Sequence, residues 1–150
     1  MKRQILFLTI SLLLGITIGG YLFSDTQPRS FLAITDCEST CINPNELSGL
    51  LTYVGIQKLP DLIPQVVRET DKVIVIKYPN PQSAVHYVFF PKTDIKDISD
   101  ISEGKEEYVT EIFNVMRDVI QKEDLRNYKM VSNGADIQLT RYLHFHLMSE

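Results

Sequence analysis

Near its C-terminal end the chain contains the segment Gln138-Leu139-Thr140-Arg141-Tyr142-Leu143-His144-Phe145-His146-Leu147-Met148. Its alternation of polar and apolar residues predicts a β-strand, because successive side chains of a strand point to opposite faces. One face would carry Thr140, Tyr142, His144 and His146. The other face would pack on a core through Leu139, Leu143, Phe145 and Leu147. Two of the three histidines in the sequence would therefore stand side by side on one face of a strand.

The residues before this segment, Ser132-Asn133-Gly134-Ala135-Asp136, are typical of a turn. Asparagine, glycine and aspartate tolerate positive φ angles and are common in hairpins. A hairpin here would bring Asn133 and Gln138 close to the imidazole pair. An Asn-Gly pair taken by itself predicts no more than the turn.

The length and charge of the chain limit what it can be. A chain of 150 residues suits a single domain with one core. It carries 15 Lys and Arg against 19 Asp and Glu, a net charge of −4, and no stretch alternates basic with aromatic residues. A nucleic-acid polymer is therefore not expected as a partner, whereas a small anionic ligand at one site is compatible with this charge.

The first 23 residues form a charged start followed by an apolar run. Lys2 and Arg3 precede a nearly unbroken apolar stretch from Ile5 to Phe23, about the ~20 residues that a helix needs to cross a bilayer. No Ala-x-Ala cleavage site follows it, so an uncleaved signal anchor is favoured over a cleaved signal peptide. We expect an anchor over residues 1–23, a polar tether over 24–44 and a folded domain over 45–150.

The orientation of such an anchor follows from its flanking charges. Because basic residues stay on the cytoplasmic side, Lys2 and Arg3 predict a membrane-anchored protein whose folded domain is extracytoplasmic. Secretion after cleavage of the signal is the alternative.

The pattern of the remaining chain predicts an α+β domain. Asn43-Pro44 has the form of a helix start, and a longer helix with an apolar stripe is predicted over residues 102–121, capped by Ser102. Runs rich in β-branched and aromatic residues, closed by turn or proline residues, predict strands at 63–68, 73–78, 86–90, 128–131 and 138–148. Short connections at Asp71 and Asn133 suit hairpins. We therefore expect an antiparallel sheet with one long helix packed on a face, preceded by an N-terminal transmembrane or signal helix.

A His-x-His pair on a strand is compatible with three uses. His144 and His146 can be surface or hydrogen-bonded residues with no chemical role. They can be two ligands of a zinc ion, which would need a third protein ligand. They can also serve in nucleophilic or acid/base catalysis.

The wider pattern resembles the histidine triad (HIT) family. The matching residues are, in order, Pro81-x4-His86-x4-Pro91-Lys92, a long helix, Asn133-Gly134, and Gln138-x3-Tyr142-Leu143-His144-Phe145-His146-Leu147-Met148. The family motif alternates three histidines with apolar residues. Here its second and third histidines fall on His144 and His146, and Tyr142 takes the place of the first. His86 matches a further histidine of the family pattern.

The resemblance implies nucleotide hydrolase or nucleotidyltransferase chemistry. His144 would attack the α-phosphorus of a nucleotide and form a covalent nucleotidyl-histidine that water then hydrolyses, cleaving a phosphoanhydride or phosphoramidate bond. His146 and His86 would complete the catalytic group, and the phosphate would be bound by Asn133, Gln138 and Thr140. The substrate would be a nucleotide-containing small molecule or a nucleotide-linked lipid, and the family implies a homodimer whose sheet continues across the interface. No cofactor is expected.

Three departures from the family pattern motivate alternative functions. Tyr142 replaces the first histidine, Leu139 stands where one branch has serine, and Tyr78 stands where many members have an acidic residue for the ribose. One alternative is a catalytically degenerate module that binds a nucleotide or a protein. The other is a small zinc-binding domain that uses the three histidines.

Cys37 and Cys41 allow three interpretations. Some bacterial family members carry a Cys-x-x-Cys pair that binds structural zinc, but the spacing here is Cys-x3-Cys. A disulfide suits an extracytoplasmic domain, and two free thiols are the remaining interpretation.

Overall fold

In the computed structural model, which describes residues 2–32, 41–81 and 83–150, five strands form one antiparallel sheet. The strands are β1 (Val66–Glu69), β2 (Val73–Lys77), β3 (Val85–Pro91), β4 (Tyr128–Val131) and β5 (Phe145–Ser149). Their order in the sheet is β1-β2-β3-β5-β4, with each neighbouring pair antiparallel. The predicted antiparallel α+β fold is confirmed.

Helices cover both faces of this sheet. The helices are α1 (Lys2–Phe23), α2 (Pro44–Lys58) and α3 (Glu106–Lys122), with short 3-10 turns at Pro60–Leu62 and Ile98–Asp100. Val73 and Val75 of β2 pack against α3 in one core cluster, whereas Ile74 between them packs against α2 on the opposite face. The predicted long helix is thus α3, and α2 is a second layer.

The predicted start of α2 at Asn43-Pro44 is confirmed, whereas the predicted cap of α3 at Ser102 is wrong. The Asn43 side chain caps α2, accepting hydrogen bonds from the amides of Asn45 at 3.2 Å and Glu46 at 3.4 Å. Ser102 does not cap α3, which begins only at Glu106. The chain makes a turn before it, where Gly104 has a φ of 83°.

The terminal strand is shorter than predicted. β5 begins at Phe145, and segment 138–144 is irregular, with its amides bonded outside the sheet: Arg141 N donates to Asn45 O at 3.0 Å and Leu143 N to Ile95 O at 2.6 Å. Leu139 is 85% exposed and not in the core, so its predicted place on the apolar face is wrong. From Leu143 onward the prediction is confirmed, because Leu143, Phe145 and Leu147 all lie in the α3 core.

The hairpin prediction is right for β1 and β2 and wrong for the end of the chain. β1 and β2 are joined by residues 70–72. β4 and β5 are antiparallel neighbours, but residues 132–144 connect them, because segment 138–144 leaves the sheet to contact α2.

α1 is long and apolar enough to cross a membrane, so it is a candidate signal anchor or transmembrane segment. Part of the segment predicted to be a tether is bound to the domain: the Gln27 amide donates to the Asp94 carboxylate at 2.8 Å, and the Arg29 side chain is buried. Cys41 is disulfide-bonded. Cys37 lies outside the described residues, so the predicted pairing stays a prediction.

Candidate active site

Strands β3 and β5 bring two of the three histidines into direct contact. His86 is opposite Met148 and His146 is opposite Val88, so the two histidines are diagonal neighbours on the same face. Their ring centroids are 5.1 Å apart, and His86 Nε2 lies 2.9 Å from His146 Nδ1. This is the face opposite α3, on which α2 also packs.

His144 completes the group from the residue just before β5. Its ring centroid is 5.0 Å from that of His146, and its other side stacks on Phe90 at 5.6 Å with 29° between the planes. His144 Nδ1 lies 2.7 Å from the carbonyl oxygen of Tyr142. Because a carbonyl oxygen can only accept, Nδ1 carries the proton in this contact and Nε2 carries a lone pair.

The tautomers of the other pair follow from the burial of His86. This side chain is 3% exposed, and its Nδ1 has no hydrogen-bond partner among the described residues. A buried N–H without an acceptor is rarer than a buried acceptor without a donor, so Nδ1 is the unprotonated nitrogen. His86 Nε2 then donates to His146 Nδ1, and His146 keeps its proton on Nε2.

Burial lowers the pKa of all three imidazoles below the ordinary value. For His86 the positive charge of Lys129 adds to this effect. For His144 burial outweighs the hydrogen bond to the Tyr142 carbonyl, which favours the charged form. For His146 burial and the two neighbouring histidines lower the pKa to about 4. At neutral pH the group is therefore uncharged.

The predicted phosphate-binding residues occupy different surroundings. Gln138 is 1% exposed, and neither atom of its side-chain amide has a partner among the described residues. Asn133 is half-buried beside Ser132, whose hydroxyl donates to His144 O at 2.9 Å. Thr140 is bound to α2 instead, with its hydroxyl 2.8 Å from that of Ser48. Its predicted place beside the histidines on a strand is wrong because no strand forms there.

The side chain of Tyr142 lies beneath the site, and its phenol ring is directed away from the three histidines, whereas its carbonyl is the acceptor for His144 Nδ1. It is fully buried among residues of α2 and β2, and its hydroxyl donates to Pro91 O at 2.5 Å. Burial raises the pKa of the phenol, which therefore stays protonated.

Two aromatic rings flank the histidines. The Tyr78 ring lies 4.4 Å from His86 and 5.8 Å from His146. Phe90, under His144, was missed as a site residue by the sequence analysis. The alternation of β3 could have found it, because His86, Val88 and Phe90 share one face. Among the described residues no group of three or more His, Cys, Asp or Glu side chains is arranged to bind a metal ion.

A five-stranded antiparallel sheet with this histidine group on one face and a long helix on the other is the architecture of the HIT-like superfamily, and the resemblance found in the sequence is confirmed. The family model described as "Scavenger mRNA decapping enzyme C-term binding" matches residues 57–150. The protein belongs to this family. The match does not include α1, the segment that follows it, or residues 44–56 of α2.

Solved structures agree on the fold. A HIT family hydrolase from Clostridium thermocellum is 24% identical over 65% of this chain and 89% of its own, with a TM-score of 0.58. A HIT family hydrolase from Legionella pneumophila is 25% identical over 63% of this chain and 88% of its own, with a TM-score of 0.57. A histidine triad nucleotide-binding protein from Candida albicans is 22% identical over 63% of this chain and 71% of its own, with a TM-score of 0.53. The chain thus has a HIT-family hydrolase-like fold.

Proposed function

We propose that the protein is a HIT-type enzyme that cleaves a phosphoanhydride or phosphoramidate bond at a nucleoside α-phosphate through a covalent nucleotidyl-His144 intermediate. One observation carries the proposal: the Tyr142 carbonyl, 2.7 Å from His144 Nδ1, requires the proton there and leaves Nε2 unprotonated. The lowered pKa of His144 keeps this nucleophile neutral at physiological pH.

The reaction has two displacements at phosphorus. The lone pair of His144 Nε2 forms a P–N bond to the α-phosphorus while the bond to the leaving oxygen or nitrogen breaks, and that atom takes up a proton. Water then attacks the same phosphorus and loses a proton, and the P–N bond breaks and returns its electron pair to Nε2. The product is a nucleoside monophosphate.

Phosphoryl transfer depends on donors for the negative charge of the phosphate oxygens. His146 offers its Nε2–H beside His144. The Gln138 amide, which has no partner among the described residues, offers a buried N–H donor. We assign Asn133 to the same role through its position next to Ser132. Thr140 acts on the substrate only if its contact with Ser48 opens.

The degenerate binding module is retained as the alternative. Tyr78 lies against His86 and His146, and Leu139 in segment 138–144 is 85% exposed. These two residues alter the surroundings of the substrate without removing the nucleophile, so binding without turnover is a distinct outcome of the test.

The membrane setting favours an extracytoplasmic substrate. The apolar α1 would hold the domain at a bilayer with its basic N-terminus inside, which makes a nucleotide-linked lipid as well as an exported nucleotide accessible. Labelling of a Glu150→Cys variant in intact cells by a membrane-impermeant maleimide tests this. A domain that reacts only after lysis contradicts the proposed orientation.

The activity test uses the full chain in detergent with adenosine and guanosine phosphoramidates, dinucleotides and a nucleotide-linked lipid. We expect nucleoside monophosphate release that disappears in His144→Ala and persists in the control Tyr87→Phe, which removes a hydroxyl that contacts Glu123 at the surface. Nucleotide-dependent thermal stabilisation without product in the wild type would favour the binding module. Stoichiometric zinc whose removal lowers stability would favour the zinc domain.

A further inference from the structure

We propose that Arg29, in the segment that follows α1, is a positioning residue that orients His144 through the backbone of segment 138–144. The kinetic part of this inference rests on the proposed function. Its structural part, the orientation of an imidazole, can be measured without any substrate.

The Arg29 guanidinium is fully inserted into the domain. Its side chain is 1% exposed and is paired with the buried carboxylates of Asp94 and Glu46. Nη1 also donates a hydrogen bond of 2.6 Å to the backbone carbonyl of Arg141. A side chain from just beyond the membrane helix thus contacts the segment that leads into His144.

Arg141 lies three residues before the nucleophile, and its carbonyl is one peptide plane away from the carbonyl that contacts His144 Nδ1. The Arg141 carbonyl belongs to the peptide plane on one side of Tyr142, and the Tyr142 carbonyl in the next plane is the acceptor for His144 Nδ1. No strand pairing supports this stretch, because β5 begins only at Phe145. Its backbone is bonded to Asn45 O, Ile95 O and Arg29, and the side chains of Arg141 and Tyr142 hold it as well, through ion pairs with Glu46 and Asp97 and a hydrogen bond to Pro91 O. Arg29 is the contact in this set that comes from the segment after α1.

The geometry of the guanidinium explains why arginine is needed here. Nη2 is directed at Asp94 while Nη1 contacts both Glu46 and the Arg141 carbonyl. A lysine carries one ammonium at the end of a flexible chain and cannot reproduce this planar fork. Arg29→Lys therefore keeps the charge but loses the simultaneous contacts.

Helix α2 packs closely against the same contact at Gly49. A Cβ added at Gly49 would collide with the Arg141 carbonyl and with Arg29 Nη1. A Cβ at Gly55, six residues further along α2, would meet only Ile63 Cδ1 at 4.0 Å among the described residues. Glycine at position 49 lets the helix, the guanidinium and segment 138–144 meet at one point.

Gln27 strengthens the attachment of this segment to the domain. Its side-chain amide donates to Asp94 O at 2.7 Å and to Asp100 at 2.9 Å, in addition to its backbone contact with the Asp94 carboxylate. The hydrogen bonds and ion pairs of residues 27–29 therefore connect the end of α1 to the site, and we call these three residues the clasp. The family match over 57–150 does not include them.

The experiment compares Arg29→Lys and Gly49→Ala with the full-length wild type in detergent. Gly55→Ala is the matched control for glycine replacement in α2. Lys58→Met is the control for a contact with the end of α1 and the residues after it, since it removes the contacts of the ammonium with Asp25, Ser24 and the Tyr21 ring and none with Arg141. Steady-state kinetics give kcat and KM separately. Imidazole ¹⁵N NMR at pH 7.5, assigned with His144→Ala, gives the tautomer of His144.

We expect both test variants to lose roughly tenfold to a hundredfold in kcat, with little change in KM, because a nucleophile is misaligned while substrate contacts remain. We expect His144 to lose its Nδ1–H tautomer in both, whereas both controls retain it. Retention of that tautomer and of kcat in Arg29→Lys and Gly49→Ala overturns the proposal. If the wild type releases no product at all, the proposed function fails, and the tautomer measurement alone still decides the role of Arg29.

Discussion

At the site, burial and mutual proximity set the charge state of the three histidines. None of the effects that shift the pKa of His86, His144 or His146 comes from a carboxylate, and each pKa lies below its ordinary value. The group is therefore arranged for a neutral nucleophile and neutral donors. Binding of a phosphate would bring negative charge next to these neutral rings.

These pKa shifts predict a stability that rises with pH. Between pH 4 and 6.5 the unfolded chain binds more protons at these positions than the folded one, so the free energy of unfolding increases across this window and levels off above it. We expect about 2 kcal/mol from His146, allowing for partial access of solvent to the ring. Urea denaturation at a series of pH values measures this slope. His146→Asn, which does not titrate, should flatten it, and an unchanged slope would contradict the assignment.

Tyr142→Phe separates stability from activity. The hydroxyl bonds to a buried carbonyl and does not contact the histidines, so its loss should lower stability by about 1–2 kcal/mol while turnover is retained. Thermal unfolding and kcat of the same preparation test this. Tyr87→Phe, which removes an exposed contact, is the control and should change neither quantity appreciably. Loss of turnover at unchanged stability would instead place the phenol in the reaction.

Among the elements, β4 is one of the two edge strands of the sheet. All four of its residues are exposed, including Tyr128 at 44% and Met130 at 47%, and a groove of about 200 Å³ lies beside it. An edge strand with apolar side chains is a template for pairing with another strand. We therefore place the expected homodimer contact at β4.

Lysine substitutions on β4 test the proposed dimer contact. Tyr128→Lys combined with Met130→Lys should shift the protein to monomer, because apposed lysines repel across a two-fold interface. Sedimentation equilibrium in density-matched detergent measures the change. Val67→Lys on β1, the opposite edge, is the control, since Val67 is 52% exposed. If Val67→Lys produces monomer and the double β4 variant does not, the interface lies at β1 and not at β4.

For the whole molecule, residues 27–29, which follow α1, are part of the folded unit. A domain that starts at Ser24 keeps Gln27 and Arg29, whereas one that starts at Phe31 leaves Asp94 buried without its arginine and Glu46 paired with Arg141 alone. Removal of one partner of a buried ion pair costs about 3–5 kcal/mol. We expect the longer domain to be more stable by this order in chemical denaturation. Equal stability of the two domains would show that the clasp is not coupled to folding.

The sequence by itself determined those features that local periodicity encodes. The alternation of β2 and β3 and the apolar stripe of α3 predict the faces that pack together, because a strand repeats every two residues and a helix every 3.6. The same alternation places His146 of β5 and His144, the residue just before β5, on one side, and the motif spacing identified the superfamily.

Only the tertiary structure decided where the irregular segments lie. Leu139 is exposed and Thr140 contacts Ser48 because segment 138–144 takes its hydrogen bonds from α2 and the loop at Ile95, far away in the sequence. The tautomer of His86 depends on burial by several elements, and Arg29 reaches Asp94 and Arg141 across 65 and 112 residues. Such contacts leave no periodic signal in the chain, because they depend on how the elements assemble and not on the pattern within any one of them.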